Sequence, residues 1–162
     1  MKKRDKELKR RYGKLAEGME PYYHHLDLRP LSEMDDEAFA FIMEKVKGVN
    51  MLDLNETQIS NESINYLTRL EYVNELRARG CHNLNDGCIP YLNKLRSLTF
   101  LHLKYTGITI SGLLQLTGLT NLKELMFSAD EEGDITEQML QLKQQLPGCA
   151  FVVNAKPWIF ED

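Results

Sequence analysis

Four groups of side chains have the types and spacing to do chemistry. Asp27 and Asp53 are a carboxylate pair that, if brought close, would raise one of the two pKa values and leave a general acid. His24, His25 and His102 together with those acids are the donor types of a zinc site. Cys81 and Cys88 bracket CHNLNDGC, a spacing that is neither CxxC nor a redox pair. Arg77, Arg79, Phe100, His102, Lys104, Tyr105 and Met126 combine guanidinium, ammonium and aromatic groups, the mixture found at the centres of protein interfaces. No glycine-rich phosphate loop, nucleophile elbow or kinase signature accompanies them. Choosing among these chemistries requires the elements that position the residues.

Those elements follow from an internal repeat. VNMLDLNETQISNESINYLTRLEY (49–72), VNELRARGCHNLNDGCIPYLNKLRS (73–97) and LTFLHLKYTGITISGLLQLTGLTN (98–121) are 24, 25 and 24 residues long and share one frame. Apolar residues stand at positions 1, 4 and 6, and a small polar residue or Cys stands at position 9. The frame extends upstream through Tyr23, Leu26 and Leu28, and downstream through Leu122, Leu125 and Phe127 to Phe151 and Val153. Alternate residues of a strand face opposite ways, so positions 4 and 6 go to a core and positions 3, 5 and 7 to the open side. After each strand an apolar i, i+3, i+6 stripe predicts a short returning helix: Ile64, Leu67 and Leu70; Ile89, Leu92 and Leu95; Leu113, Leu116 and Leu119. Asn61, Asp86 and Ser111 are the expected N-caps, Ser32 with Asp35 and Asp134 with Glu137 the expected capping boxes of the first and last helices. Six strands and five helical returns result. A single such unit cannot bury its apolar face, so the units must stack into a solenoid. Thr57, Cys81, Thr106 and Asp130 at position 9 are expected to form a hydrogen-bonding ladder along the stack.

The register sorts the chemistry. Position 3 carries His25, Met51, Glu75, Phe100, Glu124 and Ala150; position 5 carries Asp27, Asp53, Arg77, His102, Met126 and Val152; position 7 carries Arg29, Asn55, Arg79, Lys104, Ser128 and Asn154. His102 then lies three strands from Asp27, about 14 Å away, too far for ligands that must converge on one ion. Asp27 and Asp53, on an open face beside Arg77, are expected to be solvated and ion-paired rather than an acid–base dyad. Cys81 belongs to the ladder, and Cys88 is expected beneath a helix as a small apolar residue. The remaining group, Asp53, Arg77, Arg79, Phe100, His102, Lys104, Tyr105 and Met126, is the expected partner-binding surface, with no catalytic or metal-ligating residue, no cofactor, and a small-molecule ligand disfavoured.

The repeat resembles the leucine-rich repeat family, in particular its cysteine-containing, ribonuclease-inhibitor-like branch, on VNELRARGCHNLNDGCIPYL. The resemblance implies an α/β leucine-rich repeat solenoid, a right-handed superhelix with about six parallel strands on the concave face and five helices on the convex face. LEYVNELRARGCHNLNDGCIPYLNKLRSL also resembles the mitochondrial ATP synthase coupling factor B family and its relatives in respiratory-complex assembly.

Length and composition set the remaining bounds. The 162 residues are 43 % apolar and 27 % charged, the profile of one core-forming domain. Three cysteines are too few and too odd for a disulfide framework. No apolar run reaches the roughly 18 residues of a membrane span, so no membrane insertion is expected. Residues 1–14 hold eight basic residues against two acidic ones; the whole chain is −4, so the other 148 residues carry −10. Without aromatics interleaved beyond Tyr12, that basic stretch does not predict nucleic-acid binding. The acids interspersed over residues 1–20, Asp5, Glu7 and Glu17 among them, do not suit a transit peptide, and a cytoplasmic location is expected. The expected organisation is a basic N-terminal helix or cap (1–22), the repeat domain (23–154) and a capping tail (155–162) in which Trp158, Ile159 and Phe160 fold over the last repeat. The expected function is a non-enzymatic protein-binding adaptor. Two alternatives stay open: an inhibitor, such as an immunity protein that neutralises a toxin enzyme, and an assembly factor of a respiratory or ATP synthase complex in a membrane.

Overall fold

The structure is a computed structural model and describes residues 2–161. Helix α1 (Lys3–Glu17) leads into five strand–helix units: β1 (Tyr22–Asp27) and α2 (Asp36–Met43); β2 (Gly48–Asp53) and α3 (Asn61–Leu67); β3 (Tyr72–Arg77) and α4 (Ile89–Leu92), the latter entered through a 3₁₀ turn (Asp86–Cys88); β4 (Phe100–His102) and α5 (Ile110–Leu113); β5 (Glu124–Phe127) and α6 (Thr136–Gln145). Strands β6 (Ala150–Val153) and β7 (Lys156–Pro157) end the chain. The seven strands form one sheet in sequence order. The first six pair in parallel, and β7 turns back antiparallel on β6, an edge the repeat pattern does not predict. The result is a solenoid-like α/β repeat.

The register confirms the strand phase. Leu26, Leu52, Leu76, Leu101, Leu125 and Phe151 stand opposite one another across the sheet and are buried with the helix stripes in one core. The helix starts sit earlier than expected: Ser60, Asn85 and Thr109 cap α3, the 3₁₀ turn and α5 in place of Asn61, Asp86 and Ser111. Two of the displaced residues, Asn61 and Asp86, make contacts between repeats instead, as does Asp36 at the start of α2: Asn61 exchanges hydrogen bonds with Asn85. Asp86 accepts hydrogen bonds from the Thr109 N–H (2.7 Å) and hydroxyl (2.6 Å), and Asp36 accepts from the Ser60 N–H and hydroxyl and from Ser63. One helix start thus fixes the next, in agreement with the high cost of unpaired polar groups at helix ends. The first and last helices start later than the expected capping boxes: Asp35, not Ser32, caps α2 by accepting from the Ala38 N–H, and α6 begins after Ile135 without a side-chain cap.

The position-9 ladder holds at three of its four places. The Thr57 hydroxyl (2.8 Å) and the Cys81 thiol (3.1 Å) both donate to the Leu54 carbonyl, and the Thr106 hydroxyl donates to that of Leu103 (2.9 Å). Asp130 leaves the ladder: it is exposed, and its carboxylate accepts from the Glu132 N–H within its own loop.

The two ends are covered differently. Helix α1 buries Leu8 and Tyr12 and is tied to the first unit by Arg4, bidentate to Asp35, and by Arg11, paired with Glu33. At the other end the Trp158 N–H donates to the Phe151 carbonyl, and the Phe160 ring meets Phe151 edge-on at 6.1 Å. Ile159, expected to join them, is 78 % exposed.

Candidate binding face

The sheet face turned away from the helices carries positions 3, 5 and 7, and the register aligns them as the repeat requires: His25, Met51, Glu75, Phe100 and Glu124 in one row, Asp27, Asp53, Arg77, His102 and Met126 in the next. The partner-surface residues expected from the sequence are therefore contiguous. Their electrostatics differ from a simple acid-to-base gradient, because most of the charges are already paired.

At the β1–β2 end, Arg29 grips Asp27 with two bonds of 2.9 and 2.8 Å and reaches Asp53 at 3.3 Å. The guanidinium holds the Asp27 carboxyl down at about 2, its direct hydrogen bond outweighing the opposing effect of burial. Asp53 is almost fully buried under this bridge, so it belongs to the pairing rather than to the exposed surface. The two aspartates form no shared-proton dyad.

In the middle, Arg77 pairs with Glu75 at 3.3 Å and lays its guanidinium 4.4 Å from the centre of the Phe100 ring. Phe100 is accordingly half-covered by its own neighbour rather than bare. The Nη1 atom of Arg77 is buried and makes no hydrogen bond among the described residues. His102 stands edge-on to Phe100 at 6.5 Å. Burial, followed by the fields of Arg79, Arg77 and Lys104, lowers the His102 pKa, so the ring is neutral at physiological pH. Arg79 pairs with Glu56 at 3.3 Å; Lys104 has no ion pair among the described residues and lies 4.6 Å from the Tyr105 ring centre. Met126 follows on the neighbouring strand, half-buried.

Tyr105 has a further peculiarity. It is 53 % exposed and has φ of 59°, in the left-handed region that favours glycine. The turn after the strand takes the same form one and two repeats earlier, at Gly80 (φ 75°) and Glu56 (φ 61°). The backbone demand therefore comes from the repeat, while the aromatic side chain at that place does not. A non-glycine residue there costs on the order of 1 kcal/mol.

The counterions Arg29, Glu56 and Glu75 were not singled out by sequence reasoning. The signal was present: Asp27 and Arg29, like Glu75 and Arg77, are two apart on a strand and so share a face. Of the remaining candidates, His24 is exposed and faces Asn50. Among the described residues no group of three His, Cys, Asp or Glu side chains converges as a metal site would require. Burial pushes the Cys81 thiol up, and Cys88 and Cys149 up to about 12, so all three are protonated and poor nucleophiles at neutral pH.

No family model matches the chain. Among curated proteins it is similar to ATP synthase subunit s, mitochondrial, of Bos taurus, with 25 % identity over 140 residues covering 83 % of this chain and 64 % of that protein. It is likewise similar to the Homo sapiens and Pongo abelii proteins of the same name, with 28 % identity over 111 residues in each case, covering 65 % of this chain and 49 % of theirs. The chain thus spans about half to two-thirds of the length of these relatives. The resemblance seen in one repeat extends over most of the chain. These relatives are mitochondrial proteins, and they overturn the expectation of a cytoplasmic location, which rested on the charge pattern of the first residues.

Proposed function

We propose that this chain is a non-enzymatic protein-binding component of a mitochondrial ATP synthase complex or of its assembly, built as a leucine-rich repeat solenoid and engaging its partner through the concave sheet face. The observation that carries the reading is the similarity to ATP synthase subunit s over 140 residues. It displaces the general adaptor and the toxin inhibitor, which the repeat type alone had left open. In this reading residues 23–154 form the repeat domain, 1–22 cap its start and 155–162 cap its end.

The binding residues are Arg77, Arg79, Phe100, His102, Lys104, Tyr105 and Met126, with Asp53 held beneath them as a buried counter-charge. Three features favour this patch. Among the described residues Arg77 Nη1 is a buried donor with no acceptor and Lys104 has no ion pair, and the strained Tyr105 holds an aromatic ring out to solvent. The unpartnered Arg77 Nη1 costs the free protein about 1–3 kcal/mol. The partner fitting the patch is a protein surface with one carboxylate beside an apolar side chain.

The test is affinity capture by the intact chain from mitochondria of its source, beside the Phe100→Ala/Arg77→Glu double variant. The expected outcome is stoichiometric ATP synthase subunits in the first lane and their loss in the second. Capture without ATP synthase subunits, or equal capture by both proteins, overturns the reading.

A further inference from the structure

Helix α1 uses only one of its faces. Leu8 and Tyr12 are buried against the first unit. Arg4 and Arg11, on the flank, spend their charges on Asp35, Glu37 and Glu33. At 100° per residue, Lys3, Lys6, Arg10 and Lys14 fall within an arc of about 80° centred opposite Leu8 and Tyr12. All four are exposed, and none has an ion pair among the described residues. Lys9 flanks them, and Glu17 closes the end of the stripe. Four cations therefore stand in a row about 16 Å long, on a body whose remaining charge is strongly negative.

We propose that this face is a docking site for an anionic phospholipid surface, with α1 lying flat and the repeat domain held above the headgroups. The side chains decide the occupant. The stripe holds no aromatic or large aliphatic residue, which a specific protein interface would place at its centre and a single-stranded nucleic acid would use for stacking. Up to Glu17 at its C-terminal end it has evenly spaced, flexible positive charges, the arrangement that adsorbs to a diffuse negative surface. The apolar face of α1 is already buried in the fold, so the helix does not insert, and the attraction is electrostatic alone. Such attraction amounts to about a fivefold gain in partitioning per cation at the surface and collapses as salt shortens the Debye length. The inference is independent of the sheet-face reading: it concerns a different element and a different partner.

The experiment is co-sedimentation of the full chain with phosphatidylcholine vesicles, pure or containing about 30 mol % phosphatidylglycerol, at about 0.05 and 0.5 M salt. The Lys6→Gln/Arg10→Gln variant, whose changes lie on exposed positions and leave Arg4 and Arg11 in place, is run alongside with its melting temperature. The expected result is binding to anionic vesicles only, lost at high salt and about 25-fold weaker in the variant. No sedimentation with anionic vesicles at low salt overturns the proposal. Equal binding to neutral vesicles, or binding unchanged in the variant, overturns it as well. If polyuridylate RNA is bound at low salt while the vesicles are not, the stripe is a nucleic-acid surface and the lipid assignment fails.

Discussion

The two ends of the open sheet face both carry charges of either sign and treat them in opposite ways. On β1–β2, Arg29 closes a bridge over Asp27 and Asp53, and every charged group in the bridge has a partner within the fold. On β3–β5, Arg77 leaves one nitrogen without a partner, Lys104 makes no ion pair among the described residues, and Tyr105 sits in a backbone conformation that its side chain disfavours. The first end spends its charges on cohesion. The second leaves donors and an aromatic uncommitted, which lowers the stability of the free protein and supplies what a partner would use. Composition alone does not distinguish the two; the pairing does.

The contrast can be broken outright at the core that both ends share. Leu101, on β4, is fully buried in that one core, and Leu101→Asp should unfold the domain, a loss of more than about 4 kcal/mol, seen as the disappearance of a cooperative thermal transition. A cooperative melt near that of the parent would mean that the strand faces are reversed. The contrast sharpens when each end is altered alone. Phe100→Ala should weaken partner capture at least about tenfold with a melting temperature within a few degrees of the parent, whereas Arg29→Ala should leave capture unchanged and lower stability modestly. Equal losses of capture from both would erase the distinction.

Tyr105→Gly should raise stability by about 1 kcal/mol, or about 2–4 °C in melting temperature, while weakening capture. A drop in melting temperature would show that the ring contributes to the fold.

The smallest effects come from pH. Asp27 is held at about 2 against an ordinary 3.8, so its contribution is full above about pH 4 and disappears as pH falls toward 2. His102 has its pKa lowered from 6.5, so the unfolded chain binds the proton first and stability declines as pH falls below about 6.5. The two ends thus respond in the same direction over separate windows. Thermal melts across pH should show both, and His102→Gln should remove only the upper one.

Much of this was legible from the repeat. Leu52, Leu76, Leu101 and Leu125 placed the strand phase, and with it every side chain of the open face, because a one-residue shift would bury Asp27, Arg77 and His102 in the place of leucines. The helix starts were misplaced by one or two residues, since Ser60 and Asn61, or Asn85 and Asp86, are both good caps and only the contact with the next repeat decides between them. The charge pairing was less accessible: Arg29 and Arg77 each follow an acid by two residues on the same face, and which of them is fully satisfied depends on side-chain geometry. The location was misread because the basic residues of α1 were weighed against transit peptides, whereas Arg4 and Arg11 serve to dock a folded helix.

The short strand at the C-terminal end has a consequence for how these molecules behave when crowded together. A parallel sheet presents its last strand as a row of open donors and acceptors, a template on which another molecule can polymerise. Here the row ends in a reversed two-residue strand of Lys156 and Pro157, one carrying a charge and the other lacking an amide hydrogen. An incoming strand finds the wrong polarity, too little length and a missing donor. At this edge the repeat that builds the molecule is stopped from continuing between molecules, and growth into fibres is blocked.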